Sequence, residues 1–148
     1  MTEVEIISDL NKKLSDKPIV SVLENLAEKY PGKIVFTTSF GYEDQVITDM
    51  IFKNNLDIKV ITLDTGRLFP ETYKVYRSTL EKYKKPIKAY FPPAEKVEEL
   101  LNEKGPFSFY ESIENRKECC YIRKVIPLKR ALSGNEIWIT GLRASQSE

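Results

Sequence analysis

The chain contains no histidine, and among its 148 residues there are only two cysteines and six glycines. Without histidine it cannot build a Ser-His-Asp triad, an H-E-x-x-H zinc site or any imidazole general base. Basic and acidic residues nearly cancel, 23 Lys and Arg against 22 Asp and Glu, so bulk charge gives no drive towards nucleic acid or a membrane surface. No apolar run approaches the ~18 residues of a membrane span, and no signal-peptide core follows Met1. A cytoplasmic location is the expectation. Cys119 and Cys120 are neighbours, which sets their Cα atoms about 3.8 Å apart, below the ~4.4 Å usual for a disulfide. In a reducing compartment they are expected to be thiols or metal ligands.

What remains is an ordinary globular composition, 41% apolar and 30% charged, long enough for one domain with a core that needs no disulfides. Helical and extended periods alternate along it. Ile7, Leu10 and Leu14 mark an amphipathic helix that ends before Pro18, and Ile19, Val22, Leu23, Leu26, Ala27 and Tyr30 mark a second, stopped by Pro31-Gly32. Short β-branched runs at 33–38, 58–63, 87–91 and 136–140 read as strands. Helical faces lie between them at Val46–Ile51, Tyr73–Tyr83, Val97–Leu101 and Ile122–Leu132. The segment Gly105–Lys117 shows neither period clearly, and Pro127 is expected to kink or restart its helix. Strands alternating with helices predict an α/β fold with a parallel sheet, whose ligand site lies beyond the carboxyl ends of the strands.

Three polar loops stand at those ends. Thr37–Asp44 leaves the first strand through hydroxyls and Gly41, where helix-opening amides can take an anion and Ser39 can add a donor; the plainer alternative is a helix cap by Ser39 or Thr38. Asp64-Thr65-Gly66-Arg67 ends the second strand: Asp64 can accept from a ribose or amine, Gly66 permits close approach, and Arg67 offers a cationic fork. The alternative is a simple turn beside a solvated arginine. Gly141-Leu142-Arg143 ends the last strand in the same fashion. Around the thiols, Arg116, Lys117, Arg123 and Lys124 put four cations within nine residues, which favours thiolates as soft-metal ligands; structural cysteines in a solvated basic segment are the alternative. Phe107-Ser108-Phe109-Tyr110 lacks the basic stripe of a base-stacking platform.

The ordered motifs TSFGYEDQVI, LDTGRLFPETY, ECCYIRKVIPLKRAL and WITGLRASQS resemble the thioredoxin-dependent adenylyl-sulfate reductases and their phosphoadenylyl-sulfate relatives, from about Leu23 to the last residue. The resemblance implies a Rossmann-like parallel sheet flanked by helices, of the adenine nucleotide alpha hydrolase type related to PP-loop enzymes. It implies that Ser39 and Gly41, helped by Asp64, Thr65, Gly66 and Arg67, hold adenylyl sulfate or AMP, and that Arg143 contacts the phosphosulfate. Lys124 matches a family lysine between substrate and cluster. Cys119 and Cys120 match the first cysteine pair of a 4Fe–4S cluster, a feature of the adenylyl-sulfate branch. In that chemistry a C-terminal cysteine thiolate attacks the sulfate sulfur, AMP leaves, and thioredoxin releases sulfite. The chain ends at Glu148 without the family's second cysteine pair or terminal cysteine motif, so residues 1–148 are expected to form one truncated nucleotide-binding domain, inactive alone. A phosphoadenylyl-sulfate reductase and a non-catalytic nucleotide-binding remnant are the alternatives.

Overall fold

The first strand, β1 (Ile34–Thr37), sets the layering. Its side chains alternate across the sheet, so Ile34 and Phe36 enter one apolar layer and Val35 the other, all at most 1% exposed. A strand buried on both faces is what a parallel sheet covered by helices requires. The computed structural model describes residues 2–142 and shows that sheet. β2 (Lys59–Leu63), β3 (Lys88–Tyr90) and β4 (Ile137–Ile139) join β1 in the order β3-β2-β1-β4, every pair parallel. Phe36 lies opposite Val60 of β2 and Ile139 of β4.

Seven α-helices lie among the described residues. They are α1 (Glu3–Leu14), α2 (Ile19–Lys29), α3 (Tyr42–Lys53), α4 (Pro70–Tyr83), α5 (Ala94–Lys104), α6 (Ile113–Cys120) and α7 (Ile126–Leu132). Leu23 and Ala27 of α2 and Ile51 and Phe52 of α3 pack on the Ile34–Phe36 face, with Tyr76, Leu80 and Tyr83 of α4 beside them. Ala131 and Leu132 of α7 cover Val35 and Ile61 on the opposite face. Burying a side chain the size of Phe36 stabilises by roughly 1.5–3 kcal/mol, so these two layers fix the sheet. Amphipathic α1 is different: it carries a capping box between Thr2 and Glu5 but buries none of its residues. No helix among the described residues is long and apolar enough to cross a membrane.

The segment without clear periodicity has its own order. A 3₁₀ turn covers Ser108–Tyr110, and α6 begins at Ile113, where the Ser112 hydroxyl accepts from the Asn115 amide at 3.0 Å. Between α6 and α7 the chain widens into a π-helical turn, Tyr121–Val125, in which the Ile126 N–H donates to the Tyr121 carbonyl. Pro127 follows and has no N–H for the carbonyl four residues back, so the helix changes register there instead of breaking.

The topology turns back at β1. From it the chain builds β2 and β3 on one side, then returns to place β4 on the other. The carboxyl ends of β1 and β4 therefore flank the switch point at which open α/β sheets form their ligand crevice.

Candidate functional site

A cavity of about 640 Å³ opens at that switch point. Its walls come from Thr37–Gly41 after β1, Thr62, Leu63 and Thr65 after β2, and Trp138 and Thr140–Leu142 at β4. The loop after β1 makes its turn at Phe40, whose φ of 65° lies in the left-handed region, at a cost of about 1 kcal/mol for a residue with a Cβ. Two contacts hold it: the Phe40 N–H donates to Thr38 Oγ1 at 3.0 Å, and the buried Phe40 ring stacks on Tyr76 at 5.0 Å between centroids. Thr62 Oγ1 donates to the Thr38 carbonyl at 2.8 Å, and Trp138 Nε1 donates to Thr37 Oγ1 at 3.0 Å, so β2 and β4 both brace the loop.

Asp44, in the first turn of α3, closes this end of the cavity. Its Oδ2 accepts from the Ser39 amide at 2.7 Å and from the Ser39 hydroxyl at 2.8 Å, and only 9% of the residue is exposed. A carboxylate at a helix N-terminus is favoured by the exposed amides and the dipole. Here it takes the donors of Ser39 for itself. Ser39 therefore presents its oxygen to the cavity as an acceptor. Gly141 packs against the same carboxylate so tightly that a Cβ there would lie 1.9 Å from Asp44 Oδ1. Asp44 thus ties the loop after β1 to the loop after β4.

The loop after β2 is braced differently. Asp64 Oδ1 accepts from the Gly66 N–H at 2.8 Å, and the Tyr73 hydroxyl reaches both Asp64 oxygens, at 2.9 and 3.0 Å. Burial first, then this carboxylate, holds the Tyr73 hydroxyl above its ordinary pKa. Gly66 has φ of 80°, and a Cβ on it would crowd Arg123 Nη1 at 3.2 Å and the Phe91 ring at 3.3 Å. Arg123, buried in the π turn, donates from Nη1 to the Thr65 carbonyl at 2.6 Å. Arg67 turns away from the cavity and lies against Phe107 and Phe109, its guanidinium carbon 5.3 and 5.2 Å from their ring centres.

Beside the main cavity lies a depression of about 260 Å³ lined by both thiols. Cys119 is half-buried and Cys120 exposed, and neither is in a disulfide. Arg67, Arg116, Arg123 and Lys124 supply its charged lining, with no carboxylate among the described residues that line it. Lys124 and Thr65 line both spaces. Of the residues singled out in the sequence, Ser39, Gly41, Thr65 and Lys124 line the main cavity. Arg67, Cys119 and Cys120 line the depression. Asp64 and Gly66 sit in the turn between these groups without lining either space. Arg143 lies outside the described residues.

Residues 33–148 match the phosphoadenosine phosphosulfate reductase domain family. The chain belongs to that family. It is 52% identical over 116 residues to the adenosine 5'-phosphosulfate reductase of Sinorhizobium fredii strain NGR234, an alignment covering 78% of this chain and 46% of that protein. It is 39% identical over 147 residues to a chloroplastic 5'-adenylylsulfate reductase of Arabidopsis thaliana, covering 99% of this chain and 31% of that protein. The crystal structure of a phosphoadenylyl-sulfate reductase from Candida auris, a phosphate complex, superposes with a TM-score of 0.82 at 32% identity, covering 100% of this chain and 72% of that one. The chain thus spans about half the length of the bacterial relatives it matches.

Within this reductase domain, three contributors escaped the sequence reading. The sequence assigns Asp44 no role within its motif, offers Arg123 only as one of four cations, and gives the Phe107–Tyr110 aromatics no basic stripe to stack bases with. The signal for Asp44 was its position in the first turn of a helix that follows a polar loop, although that spacing equally describes a solvated cap. The donor set bears on an iron–sulfur cluster. Among the described residues no group of three or more His, Cys, Asp or Glu side chains converges to hold a metal. Cys119 and Cys120 fit half of a four-thiolate set, facing a cation-lined depression in which buried Arg123 Nε has no partner.

Proposed function

We propose that this domain binds adenylyl sulfate for thioredoxin-dependent reductive cleavage to sulfite and AMP, a reaction of sulfate assimilation. The observation that carries the reading is the place of Lys124. It lines a nucleotide-sized cavity at the sheet's switch point and also the depression that holds two thiols. Relatives at 39% and 52% identity named for adenylyl-sulfate reduction support the substrate class.

In this reading the nucleotide lies in the main cavity with its anionic end towards Lys124. The attacking thiolate belongs to a cysteine other than Cys119 and Cys120. It forms a bond to the sulfate sulfur while the bond from that sulfur to the AMP phosphate oxygen breaks, and AMP leaves with the electron pair. The dithiol of thioredoxin then attacks the S-sulfocysteine, sulfite departs, and the reductant closes to a disulfide. A thiolate approaching a phosphosulfate meets like charge, so the residues of this chain act chiefly by electrostatics. Lys124 offsets the charge of the phosphosulfate, and Arg67, Arg116 and Arg123 offset that of the thiolates. Cys119 and Cys120 would hold two corners of a 4Fe–4S cluster, whose contribution when bound is a compact charged centre beside the substrate.

Calorimetric titration of the folded chain with adenylyl sulfate tests the reading. One-to-one binding that AMP competes away is expected. Absence of binding by either nucleotide overturns it.

A further inference from the structure

Among the described residues, the charges that line the main cavity are unevenly placed. Glu43 and Asp44, from the first turn of α3, lie at its β1–β4 end beside Gly141, while Lys124, in the π turn before α7, lines it and shares the neighbouring depression with Thr65 of the loop after β2. They are the charged residues that line it among those described. Asp44 can swing away from a like charge only by giving up the two donors of Ser39 on Oδ2 and moving past Gly141 over Oδ1, which holds it in place. Asp44 stands in the first turn of α3, where its charge offsets the attraction of that helix N-terminus for a second anion.

The geometry points to Asp44 as a specificity-determining residue that admits a nucleotide with phosphate at one end and rejects one with phosphate at both. The inference rests on the nucleotide reading above and deepens it. A ligand with a single anionic group directs that group towards Lys124 and leaves neutral donors, hydroxyl or amino, at the acceptor end formed by Asp44 and Ser39. A second phosphate at that end meets a fixed, partly desolvated carboxylate, and a site discriminates most effectively where a misplaced charge has nowhere to relax. Asp44 acts here as a repulsive element, in addition to bracing the loop.

Titration of the chain with AMP and with adenosine 3',5'-bisphosphate separates the possibilities. The wild-type protein is expected to prefer AMP by about tenfold or more, as like-charge juxtaposition implies. Asp44→Asn keeps an oxygen to accept from Ser39 while removing the charge, and is expected to shrink that preference to about threefold or less by gaining affinity for the bisphosphate. A purely structural role for Asp44 would weaken both ligands equally and leave the ratio unchanged, which overturns the inference. So does a wild-type protein that binds both ligands equally, a result that needs no variant. Asp44→Ser reads the same ratio if the asparagine variant fails to fold. Binding of neither ligand by wild type overturns the nucleotide reading itself, whereas AMP binding with an unchanged ratio overturns this inference alone.

Discussion

Gly141→Ala offers a quantitative test of how the two loops at the switch point are joined. A Cβ at position 141 would stand 1.9 Å from Asp44 Oδ1 and 3.1 Å from its Cγ, with the Asp44 backbone nitrogen at 3.5 Å. Non-bonded carbon–oxygen pairs do not approach so closely, so either the β4 loop or the Asp44 side chain must move by more than about 1 Å. The helix backbone of α3 resists its share of that shift, and the carboxylate is the softer partner. Turning it aside breaks its two hydrogen bonds to Ser39, each with a charged acceptor and each worth about 1.5–3 kcal/mol. Partial rehydration of the displaced carboxylate returns some of this, which leaves an expected loss of about 2–4 kcal/mol in unfolding free energy. Urea denaturation of four proteins measures it: wild type, Gly141→Ala, Asp44→Ala and the double variant. Because both single changes remove the same contacts, the double variant is expected to be little worse than Gly141→Ala alone, with a coupling of about 1–3 kcal/mol. Strictly additive losses, or a Gly141→Ala protein as stable as wild type, would refute the idea that Asp44 joins the loops.

Other consequences can be checked as directly. Lys124→Gln removes the cation shared by the two spaces and is expected to weaken adenylyl-sulfate binding about tenfold or more, the effect of one charge-assisted hydrogen bond, with little change in melting temperature. Ellman's reagent, an anion drawn to the cationic depression, is expected to titrate two thiols in two phases; Cys120→Ser should remove the faster, and a surviving fast phase contradicts the assigned exposures. Burial, then a hydrogen bond to Asp49, pushes the Tyr83 hydroxyl up to about 12 from its ordinary 10.0, while that bond holds Asp49 below its ordinary 3.8. The Tyr83 contribution is full below pH 10 and lost as pH rises towards 12, and that of Asp49 is present above pH 3.8 and lost as pH falls through its lowered value. Tyr83→Phe should cost about 1 kcal/mol near neutrality and flatten the stability–pH curve at both ends.

The parallel sheet was readable because Ile34–Phe36 and Val60–Ile61 are short β-branched or aromatic runs between helical periods, which is how buried parallel strands differ from their surroundings. The strand-end loops were readable for the same topological reason, and with them the positions of Ser39, Gly41 and Thr65. Local pattern could not show that Asp44 turns inward, since that depends on Gly141, contributed by the last strand. It also could not order Gly105–Lys117, where α6 has almost no apolar face and the 3₁₀ turn is held by ring contacts with Arg67 from another loop. Pro127 announced a disturbance in its helix. The π turn just before it carries Arg123 to the Thr65 carbonyl after β2, a contact that no local pattern shows. Periodicity reports burial along one element, whereas these features arise where two elements meet.

The most direct test of the central claim is calorimetric binding of adenylyl sulfate to the wild-type chain and to Lys124→Gln under identical buffer and salt. The account predicts one site per chain in the wild type, competition by AMP, and an affinity at least about tenfold lower in the variant. A folded wild-type protein that takes up no adenylyl sulfate, or a variant that binds it as tightly as wild type, would contradict it.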